Sequence, residues 1–162
     1  MAGVASGDRI TPALLNHPAC RGRQSTVQTI SNNTWTAITF GAEDHDTHGM
    51  HSTSSNTSRF VVPSGYDGIY EMSGGVSWAA SATGQRWCRW ALNGTELDGS
   101  GNNIDATSAG QTLSDARTIM YSLVAGDYIE LQAFQTSGGD LNTYVGVNYA
   151  QSHVSIRRVM AA

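Results

Sequence analysis

The sequence predicts an all-β domain in which two β-sheets pack face to face. Short segments with apolar residues at every second position are separated by clusters of Gly, Asn, Ser and Asp. No segment holds a helical period over three turns. At 162 residues the chain has the length of one domain with a substantial core. We therefore expect a single sandwich of short strands.

The most regular alternation runs over residues 69–78. Because successive side chains of a strand point to opposite faces, this segment has one core face and one small, polar face. The predicted core face carries Tyr70, Met72, Val76 and Trp78. The opposite face carries Ile69, Glu71, Ser73, Gly75 and Ser77.

Further strands are predicted at 86–92, 118–124 and 128–135, and the last two are joined by residues 125–127 as a hairpin. Shorter ones are predicted at 27–30, 35–40, 59–62 and 153–159. The Gly-, Ser- and Asn-rich stretch 93–115 is expected to be an exposed loop. Together these strands predict a core that contains Tyr70, Met72, Val76, Trp78, Trp90, Tyr121, Leu123, Ile129 and Leu131.

The first 25 residues differ from the rest and are predicted to form an attachment arm ahead of a domain at 26–162. An apolar patch of Ile10, Pro12, Leu14 and Leu15 precedes an Arg-Gly-Arg stretch at 21–23. The patch is too short to be stable alone, so we expect it to dock against another protein.

Composition excludes several classes of function. Hydrophobic residues make up 40% of the chain and charged residues only 14%, which suits an extracellular or virion surface covered by small polar side chains. The net charge is −4 and lysine is absent, so nucleic acid is not an expected partner. We expect no membrane span and no cleaved signal peptide.

Three ordered motifs resemble the globular-head domain of the C1q and tumour-necrosis-factor (TNF) superfamily. They are Arg-Phe-Val-Val-Pro at 59–63, Gly-Ile-Tyr-Glu-Met-Ser-Gly-Gly-Val at 68–76, and Tyr-Ser-Leu-Val-Ala-Gly-Asp-Tyr-Ile-Glu-Leu-Gln-Ala at 121–133. The resemblance covers roughly residues 26 to 160. It implies a ten-strand jelly roll that forms a homotrimer, with one sheet of each subunit lining the three-fold axis.

By that resemblance, the polar face of 69–78 would lie at the trimer interface. The implied interface residues are Ile69, Glu71, Ser73, Gly75, Ser77, Met120, Ser122 and Arg157. Glu71 would need a counter-ion there, because like charges gathered around an axis repel. Arg157 or Arg158 is expected to supply it.

A second resemblance is to phage proteins. Gly-Asp-Arg-Ile-Thr-Pro-Ala-Leu-Leu-Asn at 7–16 looks like the N-terminal attachment segment of many phage tail and fibre proteins. Asn-Thr-Trp-Thr at 33–36 and Glu-Asp-His-Asp-Thr-His-Gly-Met at 43–50 look like the phage-encoded branch of the superfamily, and no collagen repeat is present. The resemblance implies a structural protein of the virion surface, assembled in the host cytoplasm, with major capsid or tail proteins as partners. Capsid and tail locations both remain open.

The remaining candidate chemistry is weak. His45, Asp46, His48 and His51 carry metal-ligating groups, but their spacing matches no recognised site and a solvated loop is favoured, so no cofactor is expected. No Gly-x-Ser-x-Gly motif is present, which argues against an enzyme. In some C1q-like trimers calcium binds near the apex, where loop residues Asp98, Asp105 and Asp140 would be candidates.

Two further expectations concern cysteine and tryptophan. Cys20 and Cys88 are expected to be free thiols. Of Trp78, Trp87 and Trp90, only Trp87 is expected on a surface, where it could stack on a sugar. The alternative function is therefore an adhesion module that binds a host-surface glycan or protein through loops around 93–115 and 136–150.

Overall fold

The computed structural model of the protein describes residues 17–107, 110–146 and 151–162. Within these ranges the secondary structure consists of β-strands and contains no helix. The strands are β1 (Ala19–Arg23), β2 (Thr29–Ile30), β3 (Thr36–Ala37), β4 (Ala42–Asp46), β5 (Phe60–Val61), β6 (Gly68–Trp78), β7 (Gln85–Leu92), β8 (Thr95–Glu96), β9 (Asn102–Asp105), β10 (Thr112–Leu123), β11 (Tyr128–Gln135), β12 (Leu141–Asn142) and β13 (His153–Ala161).

The strands form two main antiparallel sheets. The five-stranded sheet has the order β10-β6-β13-β1-β4. The six-stranded sheet follows the path β3-β11-β7-β8, with β5 paired to β11 and β9 paired to β7. A small pair, β12 with β2, lies beside them. Neighbours in each sheet are mostly distant in sequence, which is the crossing pattern of a sandwich and not of a simple meander.

The core lies between the two sheets and is closed by aromatic side chains whose polar atoms are satisfied. The Trp78 indole N–H donates to the Ser114 hydroxyl at 2.8 Å, and the Trp90 indole N–H donates to the Arg117 carbonyl at 2.9 Å. The Tyr70 hydroxyl donates to the Tyr66 carbonyl at 2.8 Å. Such partners remove the penalty of burying a polar atom. The predicted core residues Tyr70, Met72, Val76, Trp78, Trp90, Leu123, Ile129 and Leu131 are all fully buried.

Tyr121 is the exception, since its side chain is 41% exposed. It lies opposite Tyr70 in the register, as the alternation predicted. However, β10 is the edge strand of its sheet. The Tyr121 side chain points to the core side near the end of β10, where the second sheet does not cover it. The prediction that Tyr121 belongs to the core is therefore wrong.

The predicted boundary between arm and domain is also wrong, because β1 is an interior strand. Residues 19–23 pair with β13 on one side and with β4 on the other. Gly22 faces the core, where a Cβ atom would lie 2.8 Å from the Phe60 ring. Since the inward position is a glycine between two outward arginines, the segment has no apolar alternation from which a strand could be predicted.

The predicted hairpin at 125–127 is instead a crossing between sheets. β10 pairs with β6 and β11 pairs with β7, so the two strands lie in different sheets. The turn is closed by the Asp127 N–H, which donates to the Val124 carbonyl at 3.0 Å, and Gly126 adopts a φ of 90°. Turn residues predicted the reversal of the chain but not the sheet in which it continued.

The stretch 93–115 is more ordered than predicted. Its described residues contain β8 and β9, which pair with β7, and the first part of β10, which pairs with β6. Its inward positions are small or polar: Ser100 and Ser114 are fully buried. The Ser100 hydroxyl accepts a hydrogen bond from the Trp90 backbone N–H at 3.0 Å. The buried Ser114 therefore concealed the first part of β10, which an apolar side chain at that position would have revealed.

Candidate self-association surface

The outer face of the five-stranded sheet is the surface on which the sequence placed an interface. Hydrogen-bonded rows cross β10, β6 and β13. One row joins Met120, Glu71 and Arg157, and the next joins Ser122, Ile69 and Met160. Because cross-strand partners share a face, these side chains form one continuous surface opposite the core. The rows bring together most of the predicted interface residues.

An apolar patch, made by Ile69, Met120 and Met160, occupies one end of this surface. Met120 is 67% exposed and Met160 is 47% exposed, and Ile69 lies half-buried between them. Val124 and Val159, both exposed, lie nearby in sequence. Several large exposed apolar side chains grouped on one strand edge are typical of a contact with another protein.

Met160 was not predicted for this patch. The register of β13 shifts between Arg158 and Met160, so a bulge reverses the alternation and turns Met160 to the outer face. The one signal in the sequence was the double arginine at 157–158, which interrupts the alternation of Val154 and Ile156.

The predicted ion pair of Glu71 is confirmed, and its partner is Arg157. A terminal nitrogen of Arg157 donates to Glu71 Oε2 at 3.0 Å, beside the apolar patch. Arg158 does not share this role, because its guanidinium donates to the Asp67 carbonyl instead. Both members of the pair are substantially exposed, so in one protomer it contributes little to stability.

Gly75 and Ser77 do not belong to the exposed surface, which corrects two of the predicted interface positions. Both are buried within the single chain. The Asp115 carboxylate lies over Gly75, where a Cβ atom would be 2.1 Å from its oxygen. At Ser77 the backbone N–H donates to the Ser152 hydroxyl and the carbonyl accepts from the Tyr144 N–H. Strand parity was right, but neighbouring segments cover this end of the face.

The centre of the face is a depression of about 230 Å³. It is lined by Ala19, Cys20, His45, Glu71, Ser73, Ser155, Ile156 and Arg157. Beyond it, Arg21 and Arg23 both bond to the Asp44 carboxylate. These hydrogen bonds, chiefly that from Arg23, hold the pKa of Asp44 below its ordinary value. The surface is therefore apolar at one end and carries paired charges at the other.

The histidine-rich segment at 43–51 is held in place by hydrogen bonds within the chain. The Asp46 carboxylate accepts the backbone N–H groups of His48 and His51, at 3.1 and 2.9 Å. Burial alone would raise the pKa of Asp46, but bonds from four backbone N–H groups outweigh it and lower the pKa. His48 bonds to Tyr66, and the buried His51 ring bonds to Glu43. His45 lines the depression on the outer face. No group of three metal-ligating side chains comes together among the described residues.

Both thiols are buried and unpaired, as predicted. Burial raises the pKa of Cys88 to about 12 and that of Cys20 further still. Neither is therefore a thiolate at neutral pH, the form that a cysteine nucleophile requires. Trp87 is half-buried on the outer face of the six-stranded sheet, where it lies opposite Phe134.

Other predicted positions lie outside the described residues. They are Ile10, Pro12, Leu14 and Leu15 of the attachment segment, and part of the loop at 136–150. In the described part of the chain, no helix has the length and apolarity that a membrane crossing requires.

Comparison with known proteins rests on structure alone. No protein-family model matches the sequence, and no curated protein matches it. Murine APRIL at pH 5.0 is a similar solved structure, with a TM-score of 0.61 at 10% identity over 89% of this chain and all of that chain. Murine APRIL at pH 8.5 gives a TM-score of 0.62 at 11% identity, with the same coverage. Eiger TNF from S. frugiperda gives 0.58 at 11% identity over 90% of this chain and 94% of that chain. The protein therefore has the TNF-like jelly-roll fold, which confirms the fold class predicted from its sequence.

Proposed function

We propose that the protein is a non-enzymatic homotrimer on the surface of a phage particle, where it serves as a capsid decoration, head-fibre or minor tail protein. Residues 1–16 would attach it to a capsid or tail protein, and the jelly roll would project outward. The particle would acquire it during assembly in the host cytoplasm.

The apolar patch is the observation that carries the trimer. Met120 and Met160 leave large apolar areas in water on the face of the sheet that lies opposite the core. Covering such side chains contributes about 25 cal/mol per Å² of apolar surface removed from water. A cyclic assembly places the same patch in every interface, so one surface serves all subunits.

The position of the chain ends supports attachment at one end of the domain. The Arg158 N–H donates to the Pro18 carbonyl at 2.9 Å, so the N-terminal segment leaves beside the last strand. Residues 68 and 123, which pair with each other, lie at that same end of the sheet. A domain held there would expose its opposite end. The phage assignment itself rests on the resemblance of residues 7–16.

The buried, protonated thiols and the bonded histidines support a non-enzymatic role. The thiols lack the thiolate form that nucleophilic catalysis requires. The rings of His48 and His51 are already bonded to protein groups. A protein that only presents binding surfaces does not require reactive thiolates or unbonded imidazole rings.

Deletion of residues 1–16 tests the attachment. The deletion stops before β1, because removing residues 19–23 would take an interior strand from the sheet. We expect the shortened protein to keep its trimeric mass and to be absent from purified particles. Particles that still contain the shortened protein would contradict the proposal.

A further inference from the structure

A second concave site lies away from the five-stranded sheet. It is a pocket of about 350 Å³, between the loop that follows β4 and the start of β11. No strand of the five-stranded sheet contributes to its lining, so a trimer formed through that sheet leaves the pocket outside the contact face. Its volume falls in the range of small-ligand sites.

Arg59 is the charged group of this pocket, and its guanidinium is held in one orientation. The guanidinium carbon lies 4.2 Å from the centre of the Tyr128 ring, so the two groups stack. On one edge, Nε lies 3.6 Å from Glu130 Oε1. That carboxylate oxygen also accepts a hydrogen bond from the Ser58 hydroxyl at 2.7 Å, which helps to hold it beside the arginine.

The terminal nitrogens of Arg59 are left for a ligand. The side chain is 41% exposed, and among the described residues none accepts a hydrogen bond from its guanidinium. A planar guanidinium whose orientation is already fixed binds a carboxylate through two parallel N–H bonds with little further loss of entropy. Arg59 thus offers a prepared site for one carboxylate.

The other walls match a polyhydroxylated ring. Ser52, Ser55 and Asn56 supply hydroxyl and amide groups, while the exposed Val61 supplies apolar surface. Asn56 adopts a φ of 48°, the left-handed conformation that turns this serine-rich loop. A sugar ring presents hydroxyl groups at its rim and C–H groups on its faces, which suits such a mixed lining.

We propose that this pocket binds the carboxylate-bearing ring of an acidic sugar. The Arg59 terminal nitrogens would hold the carboxylate, and the Ser52, Ser55 and Asn56 side chains would bond to the ring hydroxyls. The residues that line the site belong to neither of the loops considered for adhesion, and they lie outside both the proposed trimer face and the attachment segment.

Titration of the full-length protein with three probes tests the site, with backbone amide NMR shifts as the readout. Glucuronate should shift the amides of residues 49–59 and 126–128. Glucose lacks the carboxylate and acetate lacks the ring, so each should bind at least about tenfold more weakly. Glucose binding as tightly as glucuronate, or the absence of any glucuronate shift at millimolar concentrations, would overturn the proposal.

Matched variants test whether glucuronate binding depends on Arg59. Arg59→Gln should weaken glucuronate binding by about tenfold or more, since it removes charged hydrogen bonds. Arg59→Lys keeps the positive charge but loses the two parallel N–H donors of the guanidinium, so it should also weaken glucuronate binding. This variant replaces Arg59→Gln as the test if Arg59→Gln does not fold. Arg117→Gln makes the same charge change at an exposed site outside the pocket and should bind normally. Unchanged binding by Arg59→Gln would overturn the proposal, while light scattering on the same samples reports separately on the trimer.

Discussion

The outer faces of the two sheets differ in how their large side chains are covered. On the six-stranded sheet, large side chains are covered by partners from the same chain: Arg89 stacks 3.9 Å from the Trp35 ring, and Trp35 packs against Phe134 at 5.2 Å. On the five-stranded sheet, Met120 and Met160 remain in water. Within one protomer the first face is covered, whereas the apolar patch of the second face is left in water, where the proposed trimer would cover it. This contrast distinguishes a surface for display from a surface for assembly.

The largest effect is expected from Met120→Glu. It places a charge in the centre of the apolar patch, where assembly would bury it without a partner. We expect the trimer to dissociate into folded monomers, measured by light scattering and circular dichroism. Val27→Glu is the matched control, because Val27 is also an exposed apolar residue, at 55%, but lies outside the patch. A Met120→Glu trimer as tight as the wild type would contradict the assignment of the interface.

A smaller loss of assembly is expected from Glu71→Arg. The substituted side chain would face Arg157 and repel it beside the patch. The unfolding free energy of the protomer should change by less than about 1 kcal/mol, since the pair is exposed there. Trimer dissociation, followed by dilution, should shift to higher protein concentration. Adding Arg157→Glu reverses both charges and should restore assembly, so a failure of this double variant to recover would argue against the pairing.

A substitution on the outer face of the six-stranded sheet should change the stability of the protomer but not its assembly. Arg89→Ala removes the stack on Trp35 and the hydrogen bond to Gln132 Oε1 at 3.0 Å. We expect the free energy of unfolding, measured in urea, to fall by about 1–2 kcal/mol. The trimeric mass should be unchanged. Dissociation of this variant would show that the two faces are not independent.

The smallest change is expected from Asp46→Asn, which should lower the free energy of unfolding by an amount that depends on pH. The pKa of Asp46 is lowered in the folded protein, so its carboxylate contributes stability above the unfolded value near 3.8 and loses that contribution as the pH falls through the folded value. The variant should lose about 1 kcal/mol at pH 7. The difference from wild type should shrink in strong acid. A difference that stays constant down to pH 2 would contradict the role of the ionised carboxylate.

Alternation predicted those parts of the fold in which apolar side chains mark the inward face. The core positions of β6, from Tyr70 to Trp78, follow directly from it. β1 and the first part of β10 could not be found in this way, because Gly22 and the buried Ser114 replace the expected apolar residues. Gly22 packs against Phe60 and Ser114 accepts a hydrogen bond from Trp78, and both partners are distant in sequence.

The candidate surface was predicted in part for a similar reason. Strand parity placed Ile69, Glu71 and Met120 on one face. It could not predict that Asp115 and Ser152 cover the far end of that face, or that a bulge in β13 brings Met160 into the patch. Parity is a local property of a strand, whereas covering segments and bulges depend on tertiary contacts.

The most direct test of the assembly is the mass of the intact chain in solution, by sedimentation equilibrium across the micromolar range. A surface completed by other copies of the chain predicts three times the protomer mass of 17.2 kDa. A mass of one chain throughout that range, or a closed dimer, would contradict it.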